Sequence, residues 1–257
     1  MPCKKDLRRV ETTGRAMRGS QWQIQTLVNW RQEEFSKEIL RLLSLPPLVE
    51  AKLRWVSPLA EDGFNEYQDA EFLGKLELGQ HSDKLKCFWP KGGPCWDALA
   101  IVEGMNPHGA VLIEAKSHFS EMDSACRARG ASRQIIEKSL AETARGLQVE
   151  VNSSWTDNYY QIANRYAHLY FLREIAKTPA WLVNVYFIND QSIKHVETPP
   201  RSIDEWHEKL EQVRERMGFG MKSVPFAVDL FMEAVSAESG PLAHEQLSQG
   251  RTPHDCK

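Results

Sequence analysis

Two segments of this chain carry charged side chains where the neighbouring residues are apolar enough for a buried strand. Gly109-Ala110-Val111-Leu112-Ile113 runs straight into Glu114-Ala115-Lys116 and is opened by the turn-forming Asn106-Pro107-His108-Gly109. Upstream, Cys95 to Val102 is apolar except at Asp97 and follows Lys91-Gly92-Gly93-Pro94. Side chains alternate faces along a strand, so Glu114 and Lys116 point to one side and Ala115 packs on the other. With Glu103 to Gly109 as their loop, the two segments read as a β-hairpin that brings Asp97 beside Glu114 and Lys116. Two ionised carboxylates side by side repel each other, and a cation between them removes the penalty. A hard ion such as Mg²⁺ or Mn²⁺ prefers carboxylate, carbonyl and water oxygens, and the peptide oxygen of Ala115 is available as a further ligand.

The acid-x-Lys triplet alone is weak, since it occurs at Glu50-Ala51-Lys52, Glu114-Ala115-Lys116 and Asp255-Cys256-Lys257. Context separates the copies. The first follows Leu45-Pro46-Pro47-Leu48 and has no aspartate-bearing strand at hairpin distance; the last lies in the polar C-terminal stretch. The plain structural alternative is a Glu114–Lys116 ion pair with Asp97 capping a turn, but buried pairs of that kind are poor stabilisers.

Asp97, sixteen intervening residues and then Glu114-x-Lys116 resembles the PD-(D/E)XK nuclease superfamily, over residues 66–190 if the flanking elements are counted. Trp96 replaces the proline that often precedes the aspartate. The resemblance implies a restriction-endonuclease-like fold of the α/β (α+β) class: an αβββαβ core with a central mixed sheet flanked by helices, plus extra N- and C-terminal helices. It assigns Asp97 and Glu114, with the Ala115 carbonyl, to one or two Mg²⁺ or Mn²⁺ ions, and Lys116 to the attacking water. The first core helix of the superfamily often adds a glutamate, for which Glu71 or Glu77 is the candidate, with Glu66 behind them. The helix after the catalytic strand lies beside the active site, which makes Arg133, Gln134 and Lys138 candidates for phosphate contact. His118, two residues beyond Lys116, is either a proton carrier, an outer-shell ligand or a strand-end histidine without a role.

The elements expected to position these residues follow from periodicity. Helical spacing covers Trp22 to Leu43, Asn65 to Leu78, Ser132 to Gln148 with Ser132 as N-cap, Thr156 to Lys177, and Ile203 to Met217. Strands are expected over Leu48 to Val56, over Lys84 to Trp89 as the first core strand, and over Trp181 to Ile188. On the Thr156 to Lys177 helix, Tyr159, Tyr160 and Arg165 either belong to the core or meet bases and phosphates. Residues 1–20 read as a mobile basic arm, 21–235 as one nuclease-like domain and 236–257 as a polar tail.

Composition sets looser bounds. A chain of 257 residues with 42% hydrophobic residues can bury one sizeable core. A net charge of −3 with pI about 6.3 excludes a generally basic nucleic-acid coat and leaves room for a local groove. Five cysteines without a CxxC pair, and no apolar leader, point to a reducing, cytoplasmic setting; no stretch is long enough to span a membrane. The other histidines lack zinc-ligand spacing with the cysteines. The expected activity is metal-dependent hydrolysis of a phosphodiester, in DNA on superfamily precedent, with a homodimer if both strands of a duplex are cut. A nuclease-fold binding module without catalysis and a hydrolase of another phosphoester are the alternatives.

Overall fold

A computed structural model describes residues 14–43, 45, 50–192 and 198–236. Its centre is a five-stranded mixed sheet in the order β1-β2-β3-β4-β5, formed by Lys52–Ser57, Ala98–Glu103, Gly109–Lys116, Ala180–Ile188 and Ala227–Glu233. The first three strands form an antiparallel meander, whereas β4 and β5 run parallel to β3. Strands β3 and β4 lie centrally and are buried on both faces, as their near-continuous apolar runs require.

Period-two alternation divides the core in two. Ala98, Ala100, Val102, Val111, Ile113, Ala115, Val183 and Val185 face helices α1 (Gly19–Trp30) and α2 (Gln32–Leu42), whose Ile24, Leu27, Phe35 and Ile39 complete that layer. Leu99, Ile101, Ala110, Leu112, Leu182 and Tyr186 face the opposite layer. That layer holds α3 (Asp69–Lys75), α4 (Ser82–Phe88), α5 (Gly130–Gly146), the single turn α6 (Ser154–Asp157), α7 (Tyr160–Tyr170) and α8 (Ile203–Arg216). Helix α7 runs on into a wider π turn over Phe171–Ile175.

Several expected elements form differently. Lys84 to Trp89 is helix, not strand: Leu85 and Phe88, three apart, are the buried positions, while Cys87 is exposed. The first core strand is instead β1, within the segment expected to be a strand over Leu48 to Val56; residues 46–49 lie outside the described ones. The long helix over Trp22 to Leu43 breaks at Arg31, whose backbone at φ −130 and ψ 33 does not continue the helix, and α2 starts at Gln32. The Asn65 to Leu78 helix contracts to Asp69–Lys75, bounded by positive φ at Asp69 and Glu77. Ser132 lies inside the first turn of α5, not at its cap, which is Arg129. Ser202 does cap α8, its hydroxyl accepting from the Glu205 amide at 3.2 Å.

Within the expected N-terminal arm, residues 14–20 belong to the folded body. Ala16 is buried, its amide donates to Gln25 Oε1 at 2.8 Å, and α1 begins at Gly19. Residues 1–13 and the tail from 237 onward lie outside the described residues. Among the described residues, no helix is long and apolar enough to cross a membrane.

Candidate active site

Asp97 directly precedes β2, one residue before the paired positions Ala98 and Ile113, and its own amide donates to the Ile113 carbonyl at 3.2 Å. Its Oδ2 accepts the Ala115 amide at 2.8 Å. The carboxylate thus takes the place of the next β2 carbonyl and satisfies a strand donor that would otherwise be orphaned where β2 begins. A strand residue's N–H and C=O point to the same edge, so the Ala115 carbonyl is directed toward the Asp97 side.

Two cationic side chains meet Glu114. Lys116 Nζ donates to Glu114 Oε1, and Arg165 Nε donates to Oε2 at 2.7 Å. Arg165 comes from α7, and its fork also reaches the Cys95 carbonyl at 3.1 Å and Asn164 Oδ1 at 2.7 Å, while its plane lies over the Trp96 ring at 5.1 Å. Lys116 has a longer second contact, Gln161 Oε1 at 3.3 Å. All of these ions are deeply buried: Asp97 is 3% exposed, Glu114 6%, Lys116 8% and Arg165 3%. At such burial, loss of one partner leaves a charge without compensation.

A cleft of about 500 Å³ opens beside these residues, lined by Asp97, Ala115 and Lys116 of the sheet, Arg18, Ser20 and Gln21 at the start of α1, and Gln161 of α7. Glu121 and Asp123 close its rim. Glu121 is fixed by the amides of Ser117 and His118 at 2.8 and 2.9 Å and by the Ser20 hydroxyl at 2.8 Å, which ties the segment after β3 to α1. Glu114 lines a separate hollow of about 20 Å³ with Arg165, Asn184 and Tyr186, room for about one water. Lys116 borders both spaces.

The other sequence candidates are placed elsewhere. Glu77 is on the surface, bonded to Arg54 at 2.6 Å, and Glu71 is exposed on α3; neither lines the cleft. Glu66 is nearer, since it is buried and accepts from Gln21 Nε2 at 2.9 Å, and Gln21 does line the cleft. His118 is buried beneath the same segment and does not line it. Arg133 pairs with Glu137 at 2.6 Å, and Gln134 and Lys138 are exposed on α5, so the helix flanking the site is α7 and not the first one after β3. Gln161 carries no sequence signal because its place at the site depends on a long-range contact, and the position of Glu121, next to the motif in the chain, gives no sign of its bond to Ser20. Arg165 was singled out there, but for stacking or phosphate contact.

The donor set can be tested against a metal. Among the described residues, no three of His, Cys, Asp and Glu converge closely enough to hold an ion by themselves. A Mg²⁺ or Mn²⁺ ion retains several waters and needs only one or two protein carboxylates; here Asp97 lines the cleft and Glu114 the hollow next to it, with Lys116 bordering both. Asp97, Glu114 and the Ala115 oxygen would hold it. No family model, curated protein or solved structure matches this chain.

Proposed function

We propose that the chain is a metal-dependent phosphodiester hydrolase with a PD-(D/E)XK-like, restriction-endonuclease-like core, acting on DNA in the cytoplasm. The observation carrying this reading is the arrangement of Asp97, Glu114 and Lys116. Asp97, just before β2, and Lys116, at the end of β3, line an open cleft, and Glu114, paired with Lys116, lines the hollow next to it. The order of elements supports it in part: helices α1 and α2, a three-stranded meander with α3 and α4 inserted between its first two strands, then helices and a strand parallel to β3.

A bound Mg²⁺ or Mn²⁺ would polarise the phosphoryl oxygen and make its water acidic. The chain's own groups do the rest. Asp97 and Glu114 hold their oxygens at fixed positions, since one caps the Ala115 amide and the other is clamped by Arg165. Lys116 brings an ammonium to the boundary of the cleft, where it can orient a nucleophile and offset negative charge on the phosphate. Arg18, at the opening of α1, supplies a second cation for the scissile strand. Cutting both strands of a duplex would require two such centres, and a two-fold homodimer supplies them.

One observation favours a second reading. Both Glu114 oxygens are already engaged by cations, which suits a fold that binds nucleic acid without cleaving it. Incubating plasmid and single-stranded DNA with the protein in Mg²⁺ or Mn²⁺ separates the two. The hydrolase reading expects cleavage that Asp97→Ala and Lys116→Ala abolish; binding without cleavage, or cleavage unchanged in the variants, overturns it.

A further inference from the structure

The two edges of the sheet are finished differently. Strand β1 presents Lys52 and Arg54, and its register with β2 shifts between Trp55 and Ser57. Charge and irregularity of that kind keep an edge from pairing with another chain. Strand β5 has neither device: its seven residues hold an unbroken register with β4 and contain no lysine, arginine or proline. Among the described residues, no strand lies beside its outer edge. The Leu182 amide donates to the Phe226 carbonyl at 3.0 Å and the Ala234 amide to the Ile188 carbonyl at 2.9 Å, so the even-numbered peptide groups of β5 point to β4. Those of Asp229, Phe231 and Glu233 point outward. Along this edge Ala227 and Phe231 on one face, and Val228 and Met232 on the other, are only partly buried.

From this edge we infer that the chain forms a two-fold dimer in which β5 pairs antiparallel with β5 of a second copy, centred on Leu230. Charge selects the register. Centring on Asp229 sets that carboxylate against itself, and centring on Phe231 sets it against Glu233 of the second copy; like charges directly opposite are unfavourable. Centring on Leu230 uses all seven residues and sets Asp229 against Phe231, Glu233 against Ala227 and Val228 against Met232, with Leu230 against itself. The outward peptide groups of Asp229 and Phe231 then exchange both backbone bonds across the dyad. The pairing stands apart from the hydrolase reading, yet it fixes where two centres would lie. Ala115 is level with Val185, and Val185 with Leu230, so the ends of both β3 strands fall in the row of the dyad. Five strand spacings, about 24 Å, separate them, and a dyad normal to the sheet keeps them on one face.

Sedimentation velocity of the full chain over a concentration series tests the pairing. Wild type should pass from monomer to dimer. Val228→Lys with Met232→Lys sets lysine against lysine twice and should weaken the dimer about tenfold or more. Val228→Lys with Met232→Glu sets lysine against glutamate and should recover most of that loss, because each position faces the other on the second copy. A wild type that stays monomeric overturns the pairing. So does a dimer that the two lysines leave intact, or one that the lysine–glutamate chain fails to recover. Should the variants not fold, amide hydrogen exchange of the wild type decides: protection of residues 227–233 should rise as the dimer forms, and unchanged exchange there overturns the pairing. A dimer paired in this way that cleaves no DNA counts against the hydrolase reading alone.

Discussion

Arg165 has a structural part at residue scale that is separable from any catalysis. Its guanidinium satisfies one oxygen of a buried carboxylate and a buried backbone carbonyl at once. Arg165→Met should therefore destabilise the fold by about 3 kcal/mol in urea unfolding, since the buried Glu114 carboxylate loses the cation on Oε2 and the Cys95 carbonyl loses the Arg165 donor. Arg165→Lys should recover part of that loss, because one ammonium cannot meet three acceptors that a planar fork reaches together.

His168, three residues further along α7, is a second buried group with a measurable signature. It is fully buried, Nδ1 donates to the Asn164 carbonyl at 2.8 Å, and the ring packs edge-on against Trp89 at 5.0 Å. Burial away from water lowers its pKa from 6.5 to about 3, and the nearby Arg165 charge adds to this against the backbone hydrogen bond. Because the folded-state value is the lower one, the unfolded chain takes up the proton first. The contribution of neutral His168 is complete above pH 6.5 and is lost progressively as pH falls toward 3. Wild type should thus lose stability over that window more steeply than His168→Phe, with a difference reaching on the order of 4 kcal/mol at the acid end. Parallel pH profiles of urea unfolding for the two proteins would refute this assignment.

At the scale of elements, the site depends on how closely β3 approaches β4. The opening residue of β3, Gly109, has no room for a side chain: an added Cβ would lie 2.6 Å from the Trp181 ring and 3.2 Å from Met105 Sδ. Gly109→Ala should push β3 away from β4 and cost about 1–3 kcal/mol, read as a lower urea midpoint at unchanged m-value. Strand β5 continues the parallel half of the sheet, and its Asp229 joins Asn184 of β4 at 3.0 Å to Arg214 of α8 at 2.6 Å. Sequence reading assigned no strand there. Its hydrophobic alternation is interrupted by Asp229, whose partners are distant in the chain. The mistaken strand at Lys84 to Trp89 has the opposite origin: six residues with alternating lysines fit both periods, and only packing of Leu85 and Phe88 into the layer of α3 to α8 selects helix.

For the whole molecule, the consequence of an ion site is thermodynamic coupling between metal and fold. If Asp97, Glu114 and the Ala115 oxygen hold Mn²⁺ only when β2 and β3 are paired, ion binding stabilises the native state alone. At a hundredfold excess over the dissociation constant the gain is about 2.7 kcal/mol. For a domain of this size that corresponds to a rise in Tm of about 5–10 °C. Differential scanning calorimetry should show the rise in wild type and its absence in Asp97→Ala. An equal rise in both would place the ion elsewhere.

The hairpin and its charged residues were legible in the chain itself. Apolar runs, turn residues and a two-residue spacing are local properties, and local properties suffice to pair β2 with β3 and to put Glu114 and Lys116 on one face of β3, with Asp97 just before β2. The surroundings were not legible. Arg165 and Gln161 reach the site because α7 crosses the sheet face some fifty residues further along the chain, and Ser20 and Gln21 because α1 begins at the cleft. Glu71, Glu77, Arg133, Gln134 and Lys138 have suitable chemistry, yet the packing of α3 and α5 leaves them outside the cleft. Periodicity specifies which face of an element is buried, but the element it is buried against depends on contacts summed over the entire core, and those exist only once the chain has folded.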